Sequence, residues 1–189
     1  MRRGKVNLAE MLAVGAVASA VGIAAGILLD WFPEAASTQS GPIDTLWDVL
    51  LIISVPVFVL VTVVVVYAVK YFRMRPGEEN LDGEPIHGNT RLEVIWTAVP
   101  SIIIAALVVY AYLVLVDIEK APADPSSERR VSVQAKQFAW EFTYEEKGAD
   151  GKPITSPELY LPVNESVSFD VNASDVLQRF WVPEFRMKI

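Results

Sequence analysis

Three long apolar runs, Met11 to Leu29, Val49 to Val69 and Val94 to Val116, constrain this chain more than any other feature. A helix needs about 20 residues, at ~1.5 Å each, to cross a hydrocarbon layer of ~30 Å. Each run has that length. Inside lipid the backbone has no water to bond, so a lone segment must satisfy its own N–H and C=O groups as an α-helix. The 52% hydrophobic content of the 189 residues is concentrated in these runs. The expected product is a membrane protein with one extramembrane part, not a single globular core.

Lys and Arg in short loops set orientation. Arg2, Arg3 and Lys5 precede the first run; Asp30, Glu34 and Asp44, with no basic residue, separate it from the second; Lys70, Arg73, Arg75 and Arg91 lie between the second and third. This alternation predicts a cytoplasmic amino terminus, a cytoplasmic loop over 70–93 and an outer segment from Asp117 onward. The first run also has the basic start of a signal sequence, with a weak cleavage site at Glu34-Ala35-Ala36, but its apolar stretch exceeds the usual 7–15 residues. Residues 1–48 are therefore read as an N-terminal segment whose run 11–29 is a transmembrane helix or a signal anchor. Residues 49–116 are read as a transmembrane hairpin around the loop.

The net charge of −7 is unevenly spread, and the outer segment carries more Asp and Glu than Lys and Arg. Such a face steers basic partners toward it or simply aids solubility. With no Cys in the chain, disulfides and thiolate metal sites are excluded. A phosphate-binding loop, a nucleophile motif and a basic stretch interleaved with aromatics are all absent, which argues against nucleic acid as a partner. Residues 117–127, rich in Pro and Ser, read as a linker, and the Pro- and Gly-rich stretch 76–88 as a cytoplasmic loop.

Beyond the linker the apolar period becomes two. Val131, Val133 and Ala135 alternate, then Phe138, Trp140, Phe142 and Tyr144 alternate in the opposite phase, so a β-bulge is expected near Lys136 and Gln137. Gly148 to Gly151 is a turn; Leu159, Leu161 and Val163 form a second strand; Asn164-Glu165 turns the chain into a third at Val167, Phe169 and Val171; the stretch from Val176 to Pro183 follows. About four short strands suggest part of a β-sandwich over 128–189 that ends before its edge is covered, an incomplete domain.

One carboxylate, Glu93, stands at the edge of the third run. Thr90-Arg91-Leu92-Glu93 fits a capping box, in which Glu93 serves only a free backbone N–H. Yet Glu93, Trp96, Thr97 and Pro100 fall at i, i+3, i+4 and i+7, one polar and aromatic stripe on an apolar helix. His87, the single histidine, reads as a surface residue, and Phe138, Trp140, Phe142 and Tyr144 as the inward face of a strand.

Several segments together resemble subunit II of the haem-copper cytochrome c oxidases, particularly actinobacterial versions. They are Asp30-Trp31-Phe32-Pro33, the stretch from Pro85 through Leu92-Glu93-Val94-Ile95-Trp96-Thr97 to Pro100, Gln137-Phe138-Ala139-Trp140, Leu159-Tyr160-Leu161-Pro162-Val163, and Asp175-Val176-Leu177-Gln178-Arg179-Phe180-Trp181-Val182-Pro183. The resemblance implies transmembrane helices followed by a cupredoxin-like β-sandwich domain on the outer side of a bacterial plasma membrane. It further implies a dinuclear copper centre that takes electrons from cytochrome c and passes them to haem in subunit I, coupled to proton translocation.

By the same resemblance Glu93 is a proton-pathway entry, Trp96, Thr97 and Pro100 contact subunit I in a complex that also contains subunit III, and Phe138 and Trp140 form the electron entry. The chain departs from the pattern at two places. Gln178 occupies the family's first His ligand position, and the Cys-containing ligand segment does not occur, so the chain reads as truncated before it. No copper is expected here, and activity is not expected of this chain alone. A copperless quinol oxidase subunit II and a non-redox structural or assembly subunit on subunit I remain the alternatives.

Overall fold

The structure, a computed structural model, describes residues 7–74, 76–77, 85, 87–120 and 128–189. Part of the expected cytoplasmic loop (75, 78–84 and 86) and most of the linker (121–127) lie outside the described residues. The chain forms two compact units: one runs to Trp31 and includes Gly41–Leu115, and the other joins Phe32–Ser40 to Val116–Ile189.

The first unit holds three helices, α1 (Leu8–Leu28), α2 (Ser40–Phe72) and α3 (Thr90–Ile118), all long and apolar enough to cross a membrane. They extend past the apolar windows because flanking polar residues such as Thr45, whose hydroxyl bonds the Gly41 carbonyl at 2.9 Å, are accommodated in helical turns. Asn7 caps α1 by accepting from Glu10 N. The absence of side chains at Gly22 and Gly26 lets α1 approach Val55 and Leu51 of α2; a Cβ on Gly22 would stand 2.8 Å from Val55 Cγ1. Further along the pair, the Tyr67 hydroxyl donates to Glu10 Oε1 at 3.4 Å. Trp31 donates its indole N–H to the Gly26 carbonyl at 2.6 Å and its ring lies 6.0 Å from Trp47.

The second unit is built on four strands, β1 (Arg129–Lys136), β2 (Ala139–Lys147), β3 (Pro153–Ser156) and β4 (Val167–Ala173), in the order β3-β2-β1-β4. β2 is antiparallel to both β1 and β3, whereas β4 runs parallel to β1. A small ribbon of β5 (Trp181–Val182) and β6 (Met187–Lys188) flanks a 3-10 turn at Pro183–Phe185. Val131, Val133 and Ala135 point inward as their alternation predicts, and Val133 is fully buried. Phe180 is the hub of the core, with ring centroids 5.5 to 6.2 Å from Phe169, Trp140 and Phe142. A helical membrane part followed by this β region is the expected fold class, consistent with a cupredoxin-like domain.

Three local expectations are corrected. No bulge re-aims the aromatics at Lys136–Gln137; the chain reverses there, with Lys136 paired to Ala139 across the two-residue turn Gln137–Phe138. Reversal of an antiparallel strand inverts the apolar phase just as a bulge would, which is why alternation alone could not separate them. Phe138 therefore sits on the turn and not on the inward face with Trp140, Phe142 and Tyr144.

Leu159, Leu161 and Val163 form no strand. Pro157 and Pro162 carry no N–H for a ladder, and Leu159 and Leu161 pack on the core from irregular backbone. The second antiparallel partner is instead β3. Residues Phe32–Ser40, expected to belong with the N-terminal helix, are part of the sheet unit: Ala36 N donates to Glu184 O at 2.9 Å, Arg186 donates to Pro33 O at 3.0 Å, and its guanidinium lies 4.7 Å from the Phe32 ring centroid.

Candidate functional site

At the start of α3 the cap is Asn89 and not the Thr90–Glu93 box. Asn89 Oδ1 accepts from Leu92 N at 3.2 Å and its carbonyl accepts the first helical bond, from Glu93 N, at 3.0 Å. A capping box needs its acid three residues after the cap; counted from Asn89 that position is Leu92, so Glu93 lies one residue too late. Its carboxylate instead lies over Gly88, where a Cβ would come 3.0 Å from Glu93 Oε1 and φ is +123°. Glycine meets both demands, the unusual backbone angle and the room for the carboxylate.

Trp96, Thr97 and Pro100 continue from Glu93 along one exposed stripe. Pro100 has no N–H, so the Trp96 carbonyl loses its ordinary helical donor, and Ser101 Oγ donates to the Thr97 carbonyl at 2.7 Å. The stripe thus adds an under-bonded backbone oxygen to the carboxylate. His87 is exposed two residues before the cap.

In the sheet unit the predicted electron-entry pair separates. Trp140 is half-buried with its ring against Phe180, while Phe138 is 98% exposed on the turn, whose Gln137–Phe138 peptide is cis. Asp175, which the sequence alone did not single out, ties this turn to the loop after β4. One oxygen accepts from Gln137 N at 2.6 Å, and the other from Val176 N at 2.7 Å and from Gln178 Nε2 at 3.4 Å. The backbone N–H groups of Val176 and then Gln137 hold the Asp175 carboxyl below the ordinary aspartate range. Its bond to Gln137 spans 38 residues, beyond the reach of any local sequence pattern.

Residues 24–114 match the family described as cytochrome c oxidase subunit II, transmembrane domain. A cytochrome c oxidase subunit 2 from Thermostichus vulcanus is 28% identical over 94% of this chain and 68% of its own length. Over its membrane part and much of its length the chain is thus similar to subunit II of the haem-copper oxidases. Another cytochrome c oxidase subunit 2, from Bacillus sp. strain PS3, is 41% identical over 59% of this chain and 32% of its own, and a quinol oxidase subunit 2 from Bacillus subtilis is 35% identical over 68% and 38%. The chain thus spans between about a third and two thirds of the length of these curated relatives.

Copper is associated with the cytochrome c oxidases of this family. Among the described residues no group of three or more His, Cys, Asp and Glu is arranged to hold a metal. Gln178, at the expected imidazole position, offers a hard, weakly basic amide oxygen, and its nitrogen is turned to Asp175. The described residues do not fit a dinuclear copper centre.

Proposed function

We propose that this chain is subunit II of a respiratory, proton-translocating oxidase in a bacterial plasma membrane. In this reading the helices pack on subunit I, in a complex with subunit III, and the sheet unit faces the outside, where cytochrome c delivers electrons destined for haem in subunit I. Glu93 gathers protons at the cytoplasmic mouth of a pathway into subunit I, with Trp96, Thr97 and Pro100 as the contact face. Phe138, projecting from its turn, is the electron entry, and Trp140 stands behind it against the core.

The observation that carries the proton side is the Asn89 cap. It relieves Glu93 of the structural duty that would otherwise explain a carboxylate there, leaving the group beside Gly88 on an exposed stripe. A positioned acid–base group contributes ~10²-fold or more to a proton transfer; an entry carboxylate that water can bypass contributes less. Glu93→Gln in the assembled complex is expected to slow turnover and proton uptake about tenfold with haem content intact. Unchanged turnover would refute the assignment.

A second reading, a copperless quinol oxidase subunit, is favoured by Gln178 and by the relatives named quinol oxidase subunit 2. The purified complex separates the two: oxidation of cytochrome c supports the first, and oxidation of quinol alone supports the second.

A further inference from the structure

We infer that Asp175 is the positioning residue that holds the Phe138 turn in its donor-facing conformation. The inference deepens the electron-entry reading of Phe138 and rests on it. With its ring 98% exposed, Phe138 gains almost no orientation from packing, so only the backbone of its two-residue turn can aim it. That backbone has one side-chain anchor on the Gln137 side, the N–H bonded to Asp175 Oδ2 at 2.6 Å.

The carboxylate is itself well fixed. Its other oxygen holds Val176 N at 2.7 Å, and the preceding Ser174 donates through both N and Oγ to the Ala135 carbonyl at 3.0 and 3.2 Å. Ala135 is a buried residue of β1, so the anchor leads directly into the rigid sheet. The same loop carries Leu177, which is also fully exposed, so the carboxylate joins two distant segments that each carry a projecting apolar side chain. Hydrogen bonds to an ionised acceptor are stronger than neutral ones, and ordering a loop before its partner arrives removes that cost from binding. The depressed carboxyl of Asp175 accords with a group that stays ionised for this purpose.

The experiment compares wild type, Asp175→Ala and Asp175→Asn in the whole purified complex, by amide hydrogen exchange at Gln137 and by steady-state oxidation of reduced cytochrome c. The expected result is loss of Gln137 protection in Asp175→Ala, with KM raised about fivefold and kcat at saturating donor unchanged. Asp175→Asn, which keeps an acceptor oxygen, is expected to restore most of both. Equal exchange at Gln137 in all three proteins overturns the tether. Lost protection with unchanged KM overturns the positioning role while the tether stands. A wild-type complex that oxidises quinol but not cytochrome c refutes the electron-entry reading, and with it the inference, whatever the exchange data give.

Discussion

The helical unit and the sheet unit expose apolar side chains for opposite reasons. On the helices many large apolar residues face outward, with Phe58 and Ile102 about 70% exposed, as suits a surface solvated by lipid or by other subunits. In the sheet unit the apolar residues of β1 turn inward and Val133 has no exposed surface. The informative outlier is therefore reversed. Among the helices it is the polar stripe from Glu93 to Pro100 that requires explanation, and in the sheet unit it is bare apolar side chains such as Phe138 and Leu177.

The sharpest test of this contrast is one substitution among the ordinary apolar residues of each unit. Val133→Asp buries an unpaired carboxylate and is expected to remove at least about 3 kcal/mol from the sheet unit, seen as loss of its cooperative thermal transition. Ile102→Ala, on the exposed face of α3, should change the stability of the complex by no more than about 0.5 kcal/mol. A large effect at Ile102 would mean that its face is packed in the complex.

The Asn89 cap gives the next largest effect. Asn89→Ala is expected to cost about 1 kcal/mol of local helix stability and to speed exchange of the Leu92 amide, whereas Thr90→Ala leaves that amide unchanged. The reverse result would restore the capping box and return Glu93 to a structural role.

The smallest effect belongs to the surface pair in which Arg129 bonds Glu165 and Glu146. The hydrogen bond from Arg129 holds the Glu165 carboxyl below its ordinary range. A carboxyl depressed in the folded state stabilises at pH above its unfolded value, and that contribution disappears as pH falls through the folded value. Glu165→Gln should lower the thermal midpoint slightly at neutral pH and leave it unchanged at pH below the folded value, so that the acid limb flattens; the effect is small because these three side chains are solvated.

Hydropathy was sufficient to locate three helices because lipid demands a continuous apolar run. It understated their lengths, since the turns around Thr45 and beyond Val116 are helical without being apolar enough to register. Alternation found β1 and β4 for the same kind of reason, a half-buried strand having no other period.

It failed at Leu159 to Val163, where prolines and irregular backbone present inward leucines without a ladder, and at β3, four residues whose pairing with β2 is specified by the partner. The stripe at Glu93 was readable from local spacing. Its true cap was not, because Asn89 and Thr90 are both acceptable capping residues and only the helix start distinguishes them. Asp175 was invisible because its role depends on a turn 38 residues away.

The parallel pairing of β4 with β1 sets the order in which the sheet unit can be assembled. β1 and β2 are joined by a two-residue turn and meet almost as soon as both exist, but Val133 finds its second neighbour, Val171, only after β2, β3 and the turn at Asn164 have been laid down. Contacts so distant along the chain form slowly. The core then waits further for Phe180, which lies beyond β4 and closes it. During synthesis the helices can enter the membrane one at a time, while the hairpin of β1 and β2 stands with its apolar face open until the chain has grown past Phe180, the interval in which this chain is most exposed to aggregation and proteolysis.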